Sequence, residues 1–408
     1  MSALSKIPLP AEKSFRNIQH PTMLSGLKRS TLAHTLLFGA YLTTGLLLNA
    51  LQAIVYVLIR PINKKWFRFL NKHLIYGNWA QIVSLGQYWS NSTVRIFMED
   101  PDAVNSFGSE HGIVIMNHSY ETDFVFCWMV CDALDILPNC KTTAKKMIAY
   151  VPVMGWNWFF GEMIFLERSW EKDRQTLPQK LDRILSYDET MLLLMFSEGT
   201  RFTKAKHENS LKFAIENNLP QLKHHLLPRP KGFAFCTKYL QGKMKYLYDI
   251  ELCVPKDVEY PPTFTSLLQG KPCHGDMYVR RYAIDDLPDN EEDLKKFLYK
   301  IYEDKDKVTE YYHTHNNEFP KGCVELKLEK RLRPGLIHLG MVTAFTIPMA
   351  YWTLNAFWLS PSVPQMIAIL SSFGIIYGAL LKMVGLTETS KTASQYGTNA
   401  DESGKKSR

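Results

Sequence analysis

The chain has 408 residues, 46% of them hydrophobic, and a formal net charge of +8. Its length excludes a single small domain, and its seven cysteines, an odd number without paired CxxC spacing, argue against a zinc site and for reduced, unpaired thiols in a cytosolic domain. The positive balance suits anionic partners but selects none of them.

A polar segment, 1–30, carrying Lys6, Lys13, Arg16, Lys28 and Arg29, precedes the first apolar run, Thr31–Ile59. That run contains no acid, Lys or Arg and exceeds the roughly 20 residues that span a bilayer. It is too long and too deep in the chain for a cleaved signal peptide, so a retained membrane helix over 31–59 is predicted. Lys28 and Arg29 on one side balance Arg60, Lys64, Lys65 and Arg68 on the other, so a full span and a re-entrant element both remain open.

From 60 to 333, apolar runs alternate with helical patterns, the signature of an α/β domain. Strands are predicted at Val94–Met98, Gly112–Met116, Met163–Leu166, Met191–Phe196, His225–Leu227, Tyr246–Val254 and Met277–Tyr282, a mixed central sheet of about seven strands flanked by helices. One helix follows Pro178, read as a first-turn proline, with Leu181, Ile184 and Leu185 on its apolar face. Another runs from Glu291 to Tyr312 with Asn290 as N-cap. Met147 to Leu166 is apolar, but Pro152, Gly155, Asn157, Gly161 and Glu162 interrupt it. It reads as buried loop, turn and strand, with its Met and aromatic side chains in the core rather than along an acyl tunnel.

Residues 336–386 form a predicted two-helix membrane hairpin, Leu336–Leu359 and Pro364–Leu386, with an uncharged SPSV turn and one charge, Lys382, near an end. Lys327, Lys330, Arg331 and Arg333 before it, and Lys391, Lys405 and Lys406 after it, place the main domain and the C-terminus on the cytosolic side by the positive-inside rule. The tail, 387–408, is polar and predicted to be disordered. It ends in Lys405-Lys406-Ser407-Arg408, which resembles a dilysine signal for retrieval to the endoplasmic reticulum.

Three polar clusters each follow an apolar strand directly: Asn117 to Asp123 after GIVIM, Glu167-Arg168 after MIFL, and Ser197 to Arg201 after MLLLMF. Ligands of open α/β sheets bind beyond the carboxyl ends of strands, so the three can converge on one site. His118 and Asp123 have the spacing of a strand-end histidine oriented by a carboxylate at the start of the next helix, leaving the second ring nitrogen as a general base. Such a pair arises by chance about once in a chain this rich in histidine, so it gains meaning only from its company. No GxSxG elbow is present, and Ser197 is followed by Glu, which favours direct transfer to a substrate hydroxyl over an acyl-enzyme. Arg201 and Arg168 are candidates to hold a phosphate. Gly199 lets backbone approach a ligand, and Glu198 either pairs with an arginine or contacts a substrate hydroxyl. His207, His224, His225, His313 and His315 show no metal-ligand pattern and receive no role.

NHSYETD resembles the NHxxxxD motif of glycerolipid acyltransferases, GEMIFLER the second motif of that family, FSEGTR the third and LLPRPKG the proline-containing fourth. The motifs occur in the family's order from Asn117 to Gly232. With the spacing of the anchors, the chain resembles the gamma, delta and epsilon group of 1-acylglycerol-3-phosphate acyltransferases. The resemblance implies that His118 deprotonates the sn-2 hydroxyl of lysophosphatidic acid and that Asp123 orients His118. Glu198, Gly199, Thr200 and Arg201 then bind the acceptor phosphate with help from Arg168, and Pro228 shapes the acyl-chain side. It further implies acyl-CoA as co-substrate with no metal or other cofactor, a lysophospholipid and the bilayer as partners rather than nucleic acid, and residence in the endoplasmic reticulum membrane. Two rival readings are an acyltransferase for another acceptor such as lysophosphatidylinositol, and a membrane-binding protein without turnover.

Overall fold

The computed structural model describes residues 23–387; the first 22 residues of the polar N-terminal segment, and the tail from 388 with its dilysine-like end, lie outside it. In chain order the elements are α1 (Met23–Lys28), α2 (Thr31–Leu58), α3 (Lys64–Ser84), β1 (Thr93–Met98), β2 (Gly112–Met116), α4 (Asp123–Ala133), β3 (Cys140–Lys145), α5 (Met154–Phe160), β4 (Ile164–Leu166), α6 (Trp170–Leu185), β5 (Leu192–Met195), α7 (Lys204–Glu216), α8 (Pro230–Leu240), β6 (Tyr246–Cys253), α9 (Phe264–Leu268), β7 (His274–Ala283), α10 (Glu291–Thr314), β8 (Val324–Leu326), α11 (Leu332–Leu354) and α12 (Val363–Thr387).

The strands form one mixed sheet of eight in the order β4-β3-β5-β2-β6-β7-β1-β8. The β4, β3, β5, β2 and β6 ladders are all parallel, so these five strands end on one edge, while β7 runs antiparallel to β6. Alternation along β2 divides the core. Ile113 and Ile115 pack with Leu181 and Ile184 of α6, Phe233 of α8 and Leu298 of α10. Val114 and Met116 face the other way, onto Phe126 and Trp128 of α4 and Trp79 of α3.

Six of the seven predicted strands form; His225–Leu227 does not. Its leucines are buried but lie in an irregular loop, a short apolar run whose periodicity cannot distinguish strand from other buried backbone. Two strands escaped the sequence reading. β3 reads CKTTAK with no apolar run, although Lys141 is buried and its Nζ reaches the Gly161 carbonyl at 2.8 Å, and β8 is three residues at an exposed edge. The helix placed after Pro178 begins earlier, at Trp170, with Pro178 inside it. Asp173 fixes that start by accepting from the Glu167 and Arg168 N–H groups at 2.8 and 3.0 Å. Asn290 caps α10 as expected, accepting from the Asp293 N–H at 2.9 Å.

Among the described residues, three helices are long and apolar enough to cross a membrane: α2, the stretch Leu332–Leu359 and Val363–Gly385. α2 is uninterrupted, with no break at which a re-entrant segment would reverse. It packs antiparallel on α3, with Gln52 donating to Asn71 at 2.8 Å and Tyr56 edge-on to Phe67. α3 in turn joins this hairpin to the α/β domain. Trp79 stacks on Trp128, and Arg68 donates to Glu162 at 3.0 Å, to the Ser186 carbonyl at 2.7 Å and to the Arg183 carbonyl at 3.0 Å. Glu162 is 6% exposed, so Arg68→Met leaves a buried carboxylate without its main cation and should cost about 3 kcal/mol. Adding Glu162→Gln should recover part of that loss in thermal unfolding measured in detergent.

Candidate active site

β2 runs into Asn117, whose side chain takes over the ladder where the backbone turns away. Its amide donates to Glu251 Oε1 and the Leu252 carbonyl, both at 2.9 Å, and accepts from the Leu252 N–H at 2.8 Å. The next residue, His118, is fixed by backbone on both sides. Its N–H donates to Glu198 Oε1 at 3.0 Å, and its carbonyl accepts from the Phe202 N–H at 2.7 Å. The ring stacks on Phe196 at 4.2 Å between centroids, and Nδ1 meets Asp123 Oδ2 at 2.8 Å. Asp123 opens α4 and is 1% exposed, with both carboxylate oxygens accepting from the Tyr120 N–H. Burial raises its pKa, and the His118 and backbone hydrogen bonds pull it back towards the ionised form. With Nδ1 facing the Asp123 carboxylate, Nε2 is the nitrogen on the opposite side of the ring; the His118 side chain is 28% exposed.

The other two clusters reach the same edge. Arg168, at φ +66°, donates from Nη2 to the Gly199 carbonyl at 2.9 Å, and the Arg229 N–H donates to the Ser197 carbonyl at 2.7 Å. Gly199 has φ +70°, a backbone conformation that favours glycine, and a Cβ there would stand 3.0 Å from Arg229 Cδ, close enough to displace that side chain slightly. Lys206 donates from Nζ to Thr200 Oγ1 at 2.8 Å and to the Arg201 carbonyl at 3.1 Å. Desolvation followed by mutual repulsion lowers the pKa of Lys145, which feels Arg168; of Arg168, which feels Arg229; and of Lys206, which feels Arg201, Lys145 and Arg168. Arg201 is lowered by desolvation and supported by Glu121 and Asp123. Lys145, Arg168, Arg201, Lys206 and Arg229 thus lie within electrostatic reach of one another, a concentration of positive charge at this sheet edge.

Glu198 is fully buried beside His118, and its Oε1 accepts from the His118 N–H, so it braces the backbone at the end of β2. Pro228 is also buried, beside Ser197, and does not line the apolar cavity described below. Sequence reasoning missed Lys145, Lys206 and Arg229. Lys145 ends β3, the strand whose polarity concealed it; Lys206 lies in the first turn of α7; and Arg229 stood inside a motif valued for its proline.

A cavity of about 670 Å³ lies between α2 and residues 146–167, lined by Leu46, Ala50 and Ala53 on one side and Tyr150, Trp156 and Phe159 on the other. The assignment of 147–166 to the buried core holds only in part: Val153, Asn157, Met163 and Ile164 are buried, but Met147, Tyr150, Val151, Trp156 and Phe159 are exposed. The cavity wall includes Lys146 and Glu167, paired at 2.5 Å, each the chain neighbour of a rim cation, Lys145 or Arg168.

A family model for acyltransferases matches residues 95–242, and one for the acyltransferase C-terminus matches 266–341. Mouse 1-acyl-sn-glycerol-3-phosphate acyltransferase delta is 42% identical over 287 residues, 70% of this chain and 75% of that protein. The human gamma protein of the same name is 35% identical over 375 residues, 92% of this chain and 97% of its own length. The chain belongs to the 1-acyl-sn-glycerol-3-phosphate acyltransferase family. Membership makes it an acyltransferase of lipid biosynthesis, and its apolar helices associate it with membranes.

Burial pushes the Glu198 carboxyl up from 4.5 to about 8, although His225 opposes the shift. The folded protein therefore holds this proton where the unfolded chain has released it, and the contribution to stability declines as pH rises from about 4.5 through 8. Glu198→Gln removes that dependence. Its thermal midpoint in detergent, relative to wild type, should rise between pH 5 and pH 8.5.

Proposed function

We propose that the protein transfers a fatty acyl chain from acyl-CoA to the sn-2 hydroxyl of lysophosphatidic acid, forming phosphatidic acid at the cytosolic face of the endoplasmic reticulum membrane. The observation that carries this reading is the His118–Asp123 pair at 2.8 Å on the same sheet edge as Arg168, Arg201 and Lys206. The acceptor phosphate binds among Arg201, Lys206 and Thr200, with Arg168 and Lys145 closing the rim. The hydroxyl gives its proton to His118 Nε2 as its oxygen attacks the thioester carbonyl carbon. The tetrahedral intermediate collapses, the C–S bond breaks, and the CoA thiolate leaves with the proton now on His118. A thiol is acidic enough to leave without a strong general acid. Among the described residues no serine or cysteine hydrogen-bonds to the His118 ring, which supports transfer without an acyl-enzyme. No step here draws on a metal.

The cavity beside α2 suits the acyl chain, since its lining is mostly apolar and the Lys146–Glu167 pair in its wall is next in sequence to Lys145 and Arg168. The basic flanks of the C-terminal hairpin support the cytosolic orientation.

Purified protein in vesicles with one acyl-CoA and a panel of lysophospholipids tests the reading. Wild type should make phosphatidic acid, and His118→Ala should lose at least about 10²-fold in kcat. Preference for another lysophospholipid would change the acceptor and keep the mechanism, whereas no turnover with any acceptor would sink the enzymatic reading for this chain. Arg201→Ala should raise KM for the acceptor far more than KM for acyl-CoA. Ala50→Phe, which fills the cavity, should reduce transfer of long acyl chains while leaving short ones nearly unaffected.

A further inference from the structure

Below the site, between β6, β7 and α10, lies a group of buried charges that the chemistry does not use. His225 is 1% exposed, yet both its ring nitrogens meet carboxylates: Nδ1 lies 2.9 Å from Asp306 Oδ1, and Nε2 lies 3.0 Å from each oxygen of Glu251. Two carboxylate partners require two donors, so the ring is an imidazolium. Burial opposes the charge, but Glu251 and Asp306 outweigh it and raise the pKa to about 10. Asp306 is itself anchored by the N–H groups of Lys223 and His224 at 2.8 and 2.7 Å. Glu251 also accepts from Thr309 Oγ1 at 2.8 Å and from the Asn117 amide at 2.9 Å.

Glu251 has a competing partner. Lys305 Nζ, fully buried, bonds to Asp249 Oδ1 at 2.7 Å and stands 3.6 Å from Glu251 Oε2, while Arg280 completes the pairing of Asp249. Buried ion pairs seldom add stability over apolar packing, so a constellation of this kind is better explained by the geometry it enforces. The imidazolium draws Glu251 away from Lys305 and holds it where the Asn117 amide can reach it. Asn117 is the residue immediately before His118, and its bonds to β6 set the direction in which the chain leaves β2.

We propose that His225 is a positioning residue for the transfer reaction: clamped between Glu251 and Asp306, it fixes Glu251 on Asn117 and so sets the placement of the His118 base. This inference rests on the reading of His118 as general base. Without the imidazolium, Glu251 turns to Lys305, Asn117 loses an acceptor, and His118 is less often aligned with the hydroxyl it must deprotonate.

The test is steady-state kinetics of full-length protein in vesicles, per mole of folded protein, for wild type, His225→Gln, Asn117→Ala, the double variant and His118→Ala. His225→Gln should lower kcat by about tenfold or more and leave both KM values within about twofold, as expected for lost alignment at the transition state rather than lost binding. The double variant should be no slower than the worse single one, because both changes break one connection. If His225→Gln yields no folded protein, Glu251→Gln, which keeps an acceptor for Asn117 but weakens the clamp, takes its place with the same expectation. An unchanged kcat, a rise confined to KM, or independent multiplication of the two losses would overturn the proposal. Full activity of His118→Ala would instead overturn the base assignment on which it rests, so the two failures are distinguishable.

Discussion

The hydrogen bonds that pin the His118 backbone, from its N–H to Glu198 and from Phe202 to its carbonyl, are the constraint on which the site depends. They join the end of β2 to the loop after β5, two parallel neighbours whose carboxyl ends coincide because of strand order alone. The orienting carboxylate can then come from the first turn of the following helix, and the cations from loops that share the same edge. The placement of His118 thus rests on one side-chain partner, the Glu198 carboxyl, and one backbone partner, the Phe202 N–H.

Glu198 illustrates the energetic compromise. A carboxyl with no exposure and an elevated pKa is an expensive way to accept one backbone hydrogen bond. Its neighbours offset part of the expense, since the positive His225 lies within electrostatic reach, and the backbone it holds is the one that carries the base. The sense of the arrangement is geometric: the acidic side chain lies inside, against the His118 N–H, while Arg168 stands exposed and Arg201 partly exposed at the same sheet edge.

Much of this was readable in the residues. The apolar runs of β2, β4 and β5, each ending in a polar cluster, announced both the sheet and the location of the site, and the His118–Asp123 spacing anticipated a contact that the fold makes at 2.8 Å. β3 was not readable, because Lys141 and two threonines conceal a strand whose register is fixed by neighbours distant in sequence. Lys145 was lost with it. The direction of Glu198 was equally hidden, since a motif gives residue order but not which face of a turn a side chain takes. The aromatic stretch from 147 to 166 misled for another reason: a hydrophobic residue is silent about whether protein or lipid will cover it.

The wall that α2 lends to the apolar cavity changes what that helix is. Leu46, Ala50 and Ala53 project from a segment that would ordinarily be trimmed away as a tether when preparing a soluble fragment. Here such trimming removes one wall of the apolar cavity and opens the remainder to water, so the anchor helix is also part of the lining of the folded protein. Substitutions within the anchor are accordingly constrained by the packing around that cavity, as well as by hydrophobicity.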